Sequence, residues 1–144
     1  MSDAQRLAEQ VVNGMLARDA FSRWLGLEVV AVGPARSVCR MTVREEMVNG
    51  LGVAHGAIAF ALADSAFAFA CNTHGKITVS IENSITYPAP IAVGDVLTAV
   101  AEAEAQSRRL GYYRVMVTNQ TGLTVALFRG TSYATERLHP SVAS

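Results

Sequence analysis

The stretch NGLGVAHGAIAFALADSAFAFA, Asn49 to Ala70, carries one carboxylate, Asp64, between the apolar flanks FALA and SAFAFA. Its own segment cannot solvate that charge. An unpaired buried charge costs several kcal/mol or titrates to neutral, so Asp64 needs a donor partner or a wet cleft. An Asp on an ordinary surface helix needs no such explanation. A carboxylate in a dry cleft is a better base or nucleophile than its reference pKa of about 3.9 implies. Asp64 is therefore the first candidate for chemistry.

His55-Gly56 stands just upstream and is expected to open a helix. The first amides of a helix lack intrahelical acceptors and lie at the positive end of its dipole. Glycine there lets a substrate carbonyl come close, so the amides of Gly56 and Ala57 form a candidate oxyanion hole. A lone histidine at this place serves equally well as a cap or as a base, and both readings stay open for His55. Asp64 follows Gly56 by eight residues, about 12 Å along one helix. The two cannot meet one carbonyl within a chain. Two helices lying antiparallel would bring Gly56 of one copy to Asp64 of the other.

Other chemistries lack their signatures. There is no GxSxG, Walker A or GxGxxG pattern, and Ser65 has no neighbouring His. Cys39 and Cys71 lie far apart without a CxxC or His-rich context, so no metal site is expected. Twelve basic and 12 acidic residues cancel, and no Lys/Arg run exceeds Arg108-Arg109. A nucleic-acid partner would require a basic face that this balance does not supply. The start, MSDAQRLAEQ, lacks the pattern of a secretory signal, so a cytoplasmic setting with reduced cysteines is expected. Asp64 and Asn72 interrupt the apolar stretch, which falls short of a clean membrane span of about 20 residues.

The 144 residues suit one domain, 1–144, able to bury roughly 70% of its unfolded surface without a staple. Hydrophobic residues make up 51% and charged residues 17%, a balance that points to apolar surface buried between subunits. Residues 1–20 read as an N-terminal segment with an amphipathic helix from about Ser2 to Arg18, where Ser2 and Gln5 can form a capping box. FSRWLGLEV is ambiguous, with a break at Gly26. SVCRMTV, Ser37 to Val43, alternates as a strand, and EEMVNGLGVA reads as a loop. The central helix is expected over 55–72, apolar nearly all round, with Gly75 as a left-handed stop. ITVSIENSITY, VLTAVAEAEAQ, YYRVMVTN and LTVALFRGTSYAT then read as four strands in a meander, the last two joined by a turn at QTG. The expected architecture is α+β, an antiparallel sheet wrapped around one long helix. Its exposed edges can pair across a dimer.

The motif resembles the signature of hotdog-fold acyl-CoA thioesterases of the phenylacetate-degradation (PaaI-type) branch. That signature is an Asn, six residues later His-Gly-Gly, then an acid eight residues after the first Gly. Asn49, His55, Gly56 and Asp64 occupy those places, and Ala57 departs from the second Gly. SIENSITYPAPIAVGD and NQTGLTVALFRGTSY extend the likeness over most of the chain. The resemblance implies that Asp64 activates water or attacks the thioester carbonyl, and that the Gly56 amide polarises that carbonyl. Asn49 would orient water or substrate, and His55 would shape the helix start rather than titrate. It implies no cofactor, since coenzyme A is part of the substrate. Arg108 and Arg109 are the first candidates for its phosphates, and Arg129 is a further one. The catalytic unit would be a homodimer, assembled as a dimer of dimers. The branch implies an aromatic acyl group such as phenylacetyl or its ring-hydroxylated forms. A medium-chain acyl-CoA substrate, a non-enzymatic acyl-CoA-binding or regulatory role, and hydration chemistry on the same fold remain alternatives at this point.

Overall fold

The computed structural model describes residues 1–143. Helix α1 (Asp3–Arg18) forms from its amphipathic stripe and buries Ala8, Val11 and Val12. Ser2 caps it, its Oγ accepting the Gln5 amide at 3.1 Å. The Gln5 side chain donates instead to the Val32 carbonyl at 2.6 Å, so the capping box is only half made. The ambiguous segment resolves into helix α2 (Ala20–Leu25), capped by Asp19, and strand β1 (Glu28–Gly33). Gly26 separates them at φ 75°, the left-handed region glycine tolerates. Strand β2 (Arg36–Thr42) returns antiparallel to β1. β1 carries no alternating pattern that would mark it as a strand: its burial follows its edge position, with Val30 half exposed at a bulge.

Helix α3 (Gly56–Asn72) is the centre of the molecule. Ala59, Ala63, Ala66 and Ala70 are fully buried, and their small side chains let the sheet close in on the helix. Phe67, Phe69 and Leu62 fill the space between, with Phe128 and Tyr113 of the sheet packed against Phe67. The helix ends where Asn72 exchanges hydrogen bonds with Thr78, accepting its amide at 2.8 Å and donating to its carbonyl at 3.1 Å. Gly75 then turns the chain at φ 98°.

Strands β3 (Lys76–Thr86), β4 (Val96–Gln106), β5 (Leu110–Thr118) and β6 (Thr124–Leu138) complete one antiparallel sheet. Its order is β1-β2-β4-β5-β6-β3. Only β4, β5 and β6 form a meander, which corrects the expected four-strand run. β3 pairs with β6 at the sheet edge, and residues 87–95 carry the chain across to β4 beside β2. That connection is too long for a hairpin and contains Pro88 and Pro90, which have no N–H for a ladder. It is fastened to the approach of α3, where the Ala54 amide donates to the Ile91 carbonyl at 2.8 Å. Among the described residues, no helix is long and apolar enough to cross a membrane.

Gly130 on β6 sits opposite Asn83 and against α3. A Cβ there would lie 2.7 Å from Phe67 Cε2 and 3.0 Å from Asn83 Oδ1. Overpacking of this kind costs about 1–3 kcal/mol. Gly130→Ala is expected to lower the urea midpoint correspondingly with an unchanged slope; an unchanged midpoint would show that the sheet yields there freely.

Candidate active site

The start of α3 is built by three fixtures. The His55 amide donates to the Met47 carbonyl at 2.8 Å, and a bridge between Val48 and Ala54 closes the loop that precedes it. His55 then caps the helix, its Nδ1 accepting the Ala57 amide at 3.0 Å. That bond corrects one expectation, since the Ala57 amide is not free. The Gly56 N–H makes no hydrogen bond among the described residues, and it stands at the exposed, positive end of a 17-residue helix. One backbone donor, not two, is available to a carbonyl.

The third fixture is Tyr87, which the sequence pattern did not single out. Its hydroxyl donates to the Gly56 carbonyl at 2.8 Å. A Cβ on residue 56 would lie 3.1 Å from that hydroxyl and 3.3 Å from the ring carbon that bears it. A side chain at position 56 would therefore crowd Tyr87, whereas the backbone dihedrals there place no demand for glycine. An aromatic at a strand end, next to PAP, is the only trace of this contact in the sequence.

Asn49 lies in the loop before the helix. Its Oδ1 accepts the Leu51 amide at 2.8 Å, and its own amide donates to the Val53 carbonyl at 2.8 Å. The carbonyl oxygen of its side chain thus holds the loop.

Asp64 sits half-buried in the middle of α3, and burial raises its carboxyl above the ordinary range. Its polar neighbour is Asn83 of β3, whose Nδ2 lies 3.4 Å from Asp64 Oδ1. The Ser80 hydroxyl donates to Asn83 Oδ1 at 2.9 Å. The adjacent Ser65 is committed elsewhere: it hydrogen-bonds Ser22 of α2 at 2.8 Å, while Ser22 donates to Asp19 at 2.6 Å. A serine so tied, with no histidine, is no nucleophile. Gly56 and Asp64 remain more than two turns apart on one helix, and one chain does not bring them together.

Arg108 and Arg109 lie at the β4–β5 turn. Arg109 pairs with Glu136 and donates to the Ala134 carbonyl at 3.2 Å, whereas Arg108 is 84% exposed and only 4.0 Å from Glu136. With Lys76 they rim a cavity of ≈ 250 Å³ floored by Cys71, Thr78 and Tyr113. Arg129 points away from it and pairs with Glu104 at 3.5 Å. Burial pushes both cysteine thiols up to about 12, so neither is a thiolate nucleophile.

The profile of the Thioesterase superfamily matches residues 51–126, the span from the loop before α3 into β6. The chain belongs to the thioesterase superfamily. Its fold is the hotdog fold, and its enzyme class is that of thioester hydrolases. The chain is 39% identical to the acyl-coenzyme A thioesterase PaaI of Escherichia coli over 126 residues, 88% of this chain and 90% of that one. The solved structure of the E. coli PaaI protein from the phenylacetic acid degradation operon superposes with a TM-score of 0.92 at 36% identity, covering 94% and 99% of the two chains. A Streptococcus pneumoniae hypothetical thioesterase solved with coenzyme A superposes with a TM-score of 0.75 at 27% identity, covering 78% and 91%.

Two predictions follow from the geometry of this helix. If His55 acts as a cap, His55→Ala lowers stability by about 1 kcal/mol and lowers turnover, while His55→Asn, a strong capping residue, recovers both. Equal inactivity of the two variants would instead mark an imidazole that takes part in the reaction. The raised Asp64 carboxyl also has a sign: the folded state binds this proton more tightly, so wild-type stability falls as pH rises above 3.8 toward the folded value. Asp64→Asn escapes that loss. It is expected to be more stable than wild type in urea at pH 7, with the gap closing as pH drops toward 4.

Proposed function

We propose that this protein hydrolyses acyl-CoA thioesters to the free acid and coenzyme A, with an aromatic acyl group such as phenylacetyl or its ring-hydroxylated forms. The observation that carries the reading is one helix presenting a free Gly56 amide at its start and a half-buried Asp64 at its middle. The resemblance to the PaaI thioesterase supports the same assignment, and its operon supports the aromatic acyl class.

The site is completed by a second copy. The thioester carbonyl accepts the Gly56 N–H of the partner subunit while Asp64 works at its carbon. In the general-base route Asp64 takes a proton from water as the hydroxide oxygen bonds to the carbonyl carbon. The tetrahedral oxyanion rests on the Gly56 amide, and collapse breaks the C–S bond. Coenzyme A leaves as a thiolate that recovers the proton. In the nucleophilic route an Asp64 oxygen attacks the carbonyl carbon and expels coenzyme A as a thiolate, leaving an anhydride; water then hydrolyses it to the free acid and the Asp64 carboxylate, and the proton released from water goes to the thiolate. Both routes need a carboxylate that burial has made more basic.

Dimerisation is supported by the edge strand β3, which exposes Val79 at 46% and Ile81 at 57% beside unpaired backbone groups. Met116 and Leu127, both exposed on the outer sheet face, support a second interface and hence a dimer of dimers. The cations at Lys76, Arg108 and Arg109 support binding of the coenzyme A phosphates, with Arg108 the least engaged. A cytoplasmic setting accords with two free, buried cysteines.

Thiol release should be measured over a panel of aromatic and straight-chain acyl-CoA substrates. The expected result is turnover that is highest for phenylacetyl-type substrates and is abolished in Asp64→Ala, which sediments as wild type. Wild-type turnover in that variant sinks the mechanism, and ligand binding without thiol release marks a binding protein. Activity in a monomeric fraction sinks the shared site.

A further inference from the structure

We propose that Asn83 is the positioning residue of Asp64: held by Ser80, it engages one carboxylate oxygen and presents the other to the reaction. The inference rests on the thioesterase reading and adds a residue that the Asn49, His55, Gly56, Asp64 pattern does not contain.

The case begins with the register of β3. Thr78 faces the helix and is buried. Strict alternation from Thr78 would turn residue 83 outward. The pairing with β6 slips between Ser80 and Glu82, where Ser80 faces Ser132 and Glu82 faces Thr131, so Ile81 has no partner. One extra residue reverses the parity of the strand. Asn83 then faces α3, and so does the half-buried Ile85. Ser80, two residues after Thr78 and before the slip, is already on that side, 2.9 Å from Asn83 Oδ1.

That hydroxyl decides which way the amide points. An amide has one accepting end and one donating end. With Oδ1 accepting from Ser80, the NH2 end is directed to Asp64 Oδ1 at 3.4 Å. The reverse orientation would set the Asn83 carbonyl oxygen against a carboxylate. Gly130 makes room for the arrangement, because a Cβ there would stand 3.0 Å from Asn83 Oδ1. Asn83, Ser80 and Gly130 are thus a single built feature spread over two strands.

The chemical effect is specific. Asp64 has two oxygens, and Asn83 occupies one from the side of β3. Oδ2 is left for the water proton or the carbonyl carbon. The donated hydrogen bond also favours the charged carboxylate over the neutral acid. That sense is opposite to the effect of burial, which raises the carboxyl. Among the described residues no charged group perturbs Asp64, whose carboxyl is raised by burial, and the titratable group coupled to it is Cys71 farther along α3, whose thiol is held protonated.

The test is Asn83→Leu, close in shape and unable to donate, assayed on the best acyl-CoA substrate of the wild type. Loss of a hydrogen bond to a charged group is expected to lower kcat about tenfold to a hundredfold, with KM within about twofold. The acid limb of kcat/KM is expected to move up by about one pH unit. Asn83→Gln, which keeps the donor, should recover part of kcat and return the limb toward the wild type. If Asn83→Leu fails to fold, Ser80→Ala tests the same point, since freeing the amide to turn should shift the limb in the same direction. Variants with wild-type kcat and an unmoved acid limb overturn the proposal. A wild-type protein that releases no thiol from any acyl-CoA overturns the thioesterase reading instead, and the two failures are distinct.

Discussion

A carboxylate on a helix without a solvated face is the constraint around which this molecule is arranged. α3 buries alanines and phenylalanines on almost every side, so the charge of Asp64 has no local outlet. Burial raises its carboxyl, and the structure answers with an oriented amide rather than with a cation. The result is a carboxylate raised by burial and left without a cationic partner among the described residues. A salt bridge would satisfy the charge better, but an adjacent cation lowers the pKa that burial raises.

The same helix supplies the opposite polarity at its start. His55 takes the Ala57 amide, Tyr87 takes the Gly56 carbonyl, and the Gly56 N–H is left over. Capping commonly serves to satisfy orphan donors. Here capping is selective: the second amide is satisfied and the first is not. Ala57 can carry a methyl for the same reason, since its amide already has its acceptor.

Helix α3, Asp64 and the His55-Gly56 start were legible because each is written in contiguous residues: an apolar run, a lone charge, and a cap followed by glycine. The partners were not. Asn83 stands among the alternating residues of ITVSIENSITY with nothing to mark it as a partner of Asp64, and its place beside α3 goes with one unpaired residue in the pairing of β3 with β6. Tyr87 reads as the apolar end of the same strand, yet its hydroxyl serves a helix that begins 31 residues earlier. The four-strand meander failed for a related reason. Local turn signals describe β4, β5 and β6, but whether β3 pairs forward with β4 or outward with β6 is a matter of long-range closure around the helix. β1 was missed because an edge strand with a bulge has no clean alternation.

The placement of the basic residues completes the electrostatic logic. Coenzyme A carries phosphates, and a protein that binds it needs cations, yet a cation beside Asp64 would neutralise the base. Lys76, Arg108 and Arg109 sit instead around Glu136 at the far turn of the sheet, and burial is the one influence that shifts Asp64. Glu136, held below the ordinary carboxylate range by the Arg109 hydrogen bond, pairs with all three cations and leaves the cluster net positive. Attraction between exposed charges fades over about a Debye length, near 8–10 Å at physiological salt. On the thioesterase reading proposed above, separate stations for the phosphates and the scissile bond let one small domain hold an anion away from its carboxylate.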